Sequence, residues 1–268
     1  MRVFFLAFFM VVPLAVGCDQ TPQTPNAPRE NYPAIITDSP ETRGKAEREW
    51  RRMLTAYGVQ QTPPDLHPVT YTPRSLLGVT GGIKILEAAP EPGSESMALR
   101  ESVKVFIDRW RDLIGADPAT ISLASADEGG EVKRYTYRQA NYPFPIALNF
   151  GEMDTVMSAD GRLMQLDSRF LPTVELPVRP LIERTDAAQR VVGRTFTYGD
   201  VAGRPQTAKI GGLQEINVRR LVVVPLEKGD SIELHLGWEI VAGSSLTWTV
   251  YLDAITGEDL KVVQNFNT

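Results

Sequence analysis

The apolar pattern changes period near residue 121, and this change constrains the fold more than any other feature of the chain. Residues 95–114 place Leu99, Val103, Phe106, Ile107, Trp110, Leu113 and Ile114 on one helical face, with Arg100, Lys104, Asp108 and Arg111 opposite. That spacing predicts one long amphipathic helix lying on a sheet, its apolar stripe buried. Gly115 and Pro118 close it. From Ile121 onward the period moves toward two. Ile121-Ser122-Leu123 opens a strand, Glu128-Gly129-Gly130 turns it, and 133–141 alternates through Tyr135 and Tyr137. Residues 152–158 and 162–170 read as a hairpin about Ala159-Asp160-Gly161, because an Asp-Gly pair tolerates positive φ. A helix followed by antiparallel strands is an α+β pattern.

Flanking segments extend this pattern. A first helix over 41–57 carries Ala46, Trp50, Met53, Leu54 and Tyr57 on one face, and Gly58 ends it. A Pro-rich loop at 62–73 and a short strand at 82–86 follow. Pro172, Pro177 and Pro180 mark a linker. Beyond it a short helix over 186–193, capped by Thr185, leads to strands at 219–226, 232–241, 246–252 and 258–265. Ser244-Ser245 and residues 253–257 supply turns. The expected architecture is two α+β units, 41–172 and 173–268, each a helix packed on an antiparallel sheet. No residue-level repeat relates them. Hydrophobic residues make up 43% of the chain, enough for cores of this size.

The start of the chain carries an address. Met1-Arg2 precedes an apolar run over 3–16 and then Gly17-Cys18-Asp19. One positive charge, a short apolar stretch and small residues before a cut site make a secretory signal. The run falls short of the ~20 residues of a membrane span. Ala15-Val16-Gly17-Cys18 resembles a lipobox, although Ala15 stands where Leu is commonest. The resemblance implies removal of residues 1–17 and lipidation of Cys18, which would attach the chain to a membrane. Ordinary secretion, with Cys18 incidental, is the alternative. Residues 18–40 read as a tether, with Pro22, Pro25, Pro28, Pro33 and Pro40 among polar residues. Such a segment has little apolar surface to offset its ordering entropy and stays extended. The chain is thus expected to be an exported, membrane-anchored lipoprotein with its folded part extracytoplasmic. Cys18 is the single cysteine, so no intramolecular disulfide forms. The net charge of −5 and the lack of a basic run argue against a nucleic-acid partner.

Two stretches resemble the modules of peptidase propeptides. Trp248-Thr249-Val250-Tyr251-Leu252-Asp253-Ala254-Ile255-Thr256-Gly257-Glu258 resembles the end of a PepSY domain: a strand ending in Asp-Ala, a Thr-Gly turn and an acidic residue before the returning strand. Leu234-His235-Leu236-Gly237-Trp238-Glu239-Ile240 resembles the strand before it. Tyr135-Thr136-Tyr137-Arg138-Gln139, with Asp160-Gly161 beyond it, is similar to the fungalysin/thermolysin propeptide motif, although the usual His before the Arg-Gln strand is missing. These resemblances imply a propeptide- or cystatin-like fold and control of a peptidase. They single out Tyr135, Tyr137, Arg138, Gln139, Trp238, Asp253 and Gly257 as candidate binding residues. Core packing is the competing reading for the aromatic ones.

The chemistry points away from catalysis. His67 and His235 are the only histidines, and no His-Glu-x-x-His helix occurs. Catalytic zinc needs several His or Cys ligands, and no nucleophile–base pair assembles itself from the sequence. Glu152, Asp154 and Asp186 have no pattern that makes them converge. The expectation is a non-enzyme without metal or cofactor, a protein-binding module that acts on an extracytoplasmic peptidase or another envelope protein. A scaffolding lipoprotein without a peptidase target is the alternative.

Overall fold

The computed structural model describes residues 31–76 and 79–266. The expected signal segment, Cys18 and the expected tether as far as residue 30 lie outside them. Along the chain come β1 (Ala34–Thr37), α1 (Pro40–Ala56), β2 (Asp65–Leu66), β3 (Pro73–Ser75), β4 (Ile83–Lys84), α2 (Glu95–Arg109) and α3 (Arg111–Ile114). Then follow β5 (Ile121–Asp127), β6 (Val132–Gln139), β7 (Glu152–Ser158), β8 (Arg162–Ser168) and α4 (Arg184–Gln189). The chain ends in β9 (Thr195–Gly199), β10 (Pro205–Lys209), β11 (Ile216–Lys228), β12 (Ser231–Ala242), β13 (Trp248–Asp253) and β14 (Asp259–Gln264). The fold is α+β, with antiparallel pairing in both large sheets.

The first sheet has the order β4-β8-β7-β6-β5. Helix α1 begins at Ser39, whose side chain accepts from the Thr42 amide at 3.3 Å, with Pro40 preset in the first turn. Its stripe buries Trp50, Met53 and Leu54 against Leu99, Phe106 and Trp110 and the inward sheet residues Tyr135, Tyr137 and Met153. The expected single helix over 95–114 is broken. Trp110 leaves helical geometry at φ −115° and ψ 26°, and the chain restarts as α3 before Gly115 closes it at φ 80°. The break keeps Trp110, Leu113 and Ile114 on the buried side. Gly115 also has no room for a Cβ, which would stand 2.7 Å from Thr72 Cγ2.

The second sheet runs from β11 through β12 and β13 to β14, and β1 pairs with the stretch of β12 that β13 leaves free. This corrects the expected extent of the tether over 18–40, because residues 34–37 form a strand. Ala34-Ile35-Ile36-Thr37 is rich in β-branched residues, and Ala34 and Ile36 turn into the apolar interior. A second correction concerns α4. It starts from Glu183 without a side-chain cap, so Thr185 is helical rather than the cap. The β9–β10 hairpin escaped the sequence reading. Its only large apolar inward groups are Phe196 and Tyr198, stacked on and tilted against Trp248.

A third apolar cluster joins the two sheets. Val69, Tyr142, Leu171 and Leu176 pack on Val223, Ile232 and Leu234. Next to it Ile146 makes a parallel bridge to Val223, with the amide of Ala147 donating to the Val223 carbonyl at 2.8 Å.

Candidate functional site

The Asp-Ala-Ile-Thr-Gly turn between β13 and β14 organises the densest polar cluster of the second sheet. Asp253 is 1% exposed. Its Oδ1 accepts from the amides of Ile255 at 2.7 Å and Thr256 at 3.0 Å, which shapes the turn. Its Oδ2 lies 2.8 Å from His235 Nδ1, and Tyr32 donates its hydroxyl to the carboxylate at 2.9 Å. Burial opposes the charge on Asp253, but the bonds from His235, the Thr256 and Ile255 amides and Tyr32 hold its carboxyl below the ordinary carboxylate range. Burial and the neighbouring carboxylate push the Tyr32 phenol upward. The same hydroxyl accepts from the Leu236 amide at 3.1 Å, in the gap on β12 between β1 and β13.

Ala254 explains the second half of the Asp-Ala pair. It is fully buried, its amide donates to Leu236, and its carbonyl accepts from Leu181 and Ile182. Three chain segments meet at this small residue. Gly257 sits at φ 78°, and a Cβ there would stand 2.6 Å from Arg190 Nη1.

His235 has both ring nitrogens engaged, Nδ1 by Asp253 and Nε2 by Glu233 at 3.3 Å. The Tyr32 hydroxyl beside this arrangement is committed to Asp253. No serine, threonine or cysteine joins it through a hydrogen bond among the described residues. His67 is likewise occupied. Its Nδ1 accepts from the amides of Val69 and Thr70, which leaves Nε2 to donate to Glu227 at 3.1 Å. Among the described residues no cluster of His, Cys, Asp and Glu is arranged to hold a metal ion.

The candidate binding residues fall in two separate places. Tyr135 and Tyr137 are 0% and 1% exposed and point into the first core, so neither presents a binding surface. They alternate inward because α1 and α2 cover that face. Arg138 points outward and pairs with Glu152 at 2.7 Å. Gln139 is buried and bonds both backbone groups of Leu171, at 2.7 and 2.8 Å. Trp238 is buried near α4, its indole donating to the Ile182 carbonyl at 2.8 Å. Asp253 and Gly257 shape the turn. Tyr32 and Glu233 were not foreseen. Tyr32 stands inside the presumed tether, where the run Tyr32-Pro33-Ala34-Ile35-Ile36 already departs from the polar composition around it.

Among the described residues the first sheet ends in the two-residue β4 on one side and in β5 on the other. β5 is exposed along nearly its whole length. The Gln139 amide donates to the Gly151 carbonyl at the start of β7, on the side away from β5. Its partner on β5, Ile121, and Leu123 two residues on, therefore turn their amides to the open edge. β5 carries no Lys or Pro, residues that commonly blunt such edges. A bulge between Leu123 and Ser125 divides it.

No family model matches the chain, and no curated protein matches it. Among solved structures it is similar to the Bacillus megaterium YpeB C-terminal domain, at 12% identity and a TM-score of 0.35, over 86% of this chain and 99% of that one.

Proposed function

We propose that this chain is a non-catalytic, lipid-anchored protein-binding module of the cell envelope that restrains an extracytoplasmic peptidase. The observation that carries the reading is the β5 edge: outward amides at Ile121 and Leu123 on a strand without gatekeeping charges until Asp127. An extended chain can pair with such an edge through backbone bonds alone. The propeptide-like turn at Asp253 agrees with the reading, and both histidine rings are engaged by neighbouring groups.

The test uses full-length protein in detergent. It should slow a peptidase solubilised from the same envelope at stoichiometric ratio and cleave no peptide itself. Leu123→Pro, which removes one outward amide at a position 39% exposed, should abolish the inhibition without unfolding the sheet. Binding without inhibition would favour the scaffolding alternative. Cleavage by the purified chain that disappears in His235→Ala would overturn the non-catalytic reading. The anchor has its own check: Cys18→Ser should lose fatty-acid labelling, since the acylated atom is the sulfur. Equal labelling of both proteins would remove the lipoprotein reading.

A further inference from the structure

β11 and β14 are the outer strands of the β11–β14 ribbon, yet their side chains meet. Val222 and Val224 from β11 pack with Tyr251 from β13 and with Leu260 and Val263 from β14. Gly237 on β12 lies beneath them. A Cβ there would stand 2.7 Å from Val224 Cγ2 and 3.3 Å from Leu260 Cδ1. The absent side chain lets the sheet curl until its two sides nearly close.

They do not close. A cleft of about 500 Å³ remains, lined by Leu226 and Lys228 from β11, by Leu260, Lys261 and Val263 from β14, and by Phe150. That size lies within the range of small-ligand and peptide pockets. The loop beside it is held in an unusual conformation: Leu148 and Asn149 are successive non-glycine residues at φ 58° and 62°. The charges around the cleft are unevenly committed. Glu227 turns to His67, and Lys228 lies 3.6 Å from Glu233. Lys261 has no ion-pair partner among the described residues. The edge of β14 is also open. Asn265 donates its amide inward to Thr247, so Gln264 and Val262 turn theirs outward.

Aliphatic walls, an uncommitted ammonium and a row of unpaired amides occur together here. We infer that the cleft binds an extended apolar peptide segment bearing a carboxylate, added as a strand to β14 and held by Lys261. An extended peptide satisfies all three features, since alternate side chains enter the cleft while its backbone pairs with the edge. A fatty acid would leave the amides unpaired. The inference rests on the protein-binding reading above and names a second surface for it.

The test is fluorescence polarisation of the full-length protein with fluorescein-labelled Val-Leu-Val-Leu-Val carrying a free terminal carboxylate. Saturable binding is expected, about fivefold weaker for the peptide amide and for Lys261→Gln, and restored by Lys261→Arg. Val262→Pro should weaken it more than tenfold, because it deletes an outward amide at a position 40% exposed. Leu123→Pro should leave it unchanged, which separates failure of this site from failure of the β5 edge. No saturable binding, equal binding by Val262→Pro, or full displacement by decanoate at matching concentration would overturn the proposal.

Discussion

β7 and β12 are central strands of their sheets, but they meet solvent differently. β7 alternates strictly between buried and half-buried residues, while β12 runs through seven consecutive buried positions from Leu234 to Ile240. The first sheet is packed on one face only. Its other face is a solvated lattice in which Arg138 meets Glu152 and Asp154 meets both Thr136 and Arg169. The second sheet has α4 and the β9–β10 hairpin on one face and the curled β14 on the other. His235, Glu239 and Asp253 on that curled face are buried from water. They are paired instead: His235 with Asp253 and Glu233, and Glu239 with both Arg219 and Arg220. The bulge between Val218 and Arg220 gives two successive arginines access to one carboxylate. One-sided burial makes polar residues cheap to replace. Two-sided burial turns each into part of a network.

The largest effect is expected in the first core. Trp110→Ala removes a side chain 2% exposed, flanked by Arg52 and Arg109 over its ring. The cavity should cost ~3–5 kcal/mol in chemical denaturation. A loss under about 1 kcal/mol would mean that α2 and α3 can repack without it.

Asp253→Ala should come next, at about 3 kcal/mol, because it leaves His235 and Tyr32 facing an empty buried site. Its pH signature follows from the depressed carboxyl. The folded value lies below the unfolded value of about 3.9, so the stabilising contribution is fully present above that value. It is lost as pH falls through the folded value. Wild type and Asp253→Ala should therefore converge in stability on acidification below about pH 4. A constant difference down to the acid transition would mean that Asp253 acts only through packing.

The same contrast governs how far the sequence could be read. β7 and β8 emerged at nearly their observed limits, because one wet face preserves the period of two and Gly161 takes φ 81° at the expected hairpin. The buried faces of α1 and α2 were legible for the equivalent reason. β1 was hidden because its four residues acquire a partner only far along the chain, Ala34 at Leu234 and Thr37 at Ser231. β9 and β10 were hidden because a two-stranded hairpin on the side of a sheet buries too few residues to set a pattern. Of the candidate site, the Asp-Ala and Thr-Gly pairs were legible as a turn. Tyr32 was not, since its role depends on where β1 docks. The cleft at β14 was also invisible, because it depends on the curl over Gly237 rather than on any local spacing.

Gly257→Val is expected to have an intermediate effect, about 1–3 kcal/mol, from left-handed backbone and contact with Arg190 together. Gly257→Ala shares the backbone cost and adds less bulk. Equal losses in the two would assign the effect to what both share, the left-handed backbone and the Cβ contact with Arg190, whereas a much smaller loss in the alanine variant would assign it to the valine methyls.

The smallest effect tests the wet face. Arg138→Ala breaks the pair with Glu152 on the open side of the first sheet, where both groups keep access to water. Its cost should lie within ~0–1 kcal/mol and shrink in high salt, because screening weakens an exposed pair. Glu239→Ala is the matched variant on the second sheet: Glu239 is 7% exposed and leaves two arginines without their carboxylate. Arg219 and Arg220 can still turn outward to solvent, so its cost should exceed that of Arg138→Ala while staying below that of Asp253→Ala. If Arg138→Ala and Glu239→Ala lost the same stability with the same salt dependence, the curled face would be as wet as the open one. The distinction between one-sided and two-sided burial would then have no energetic content at these positions.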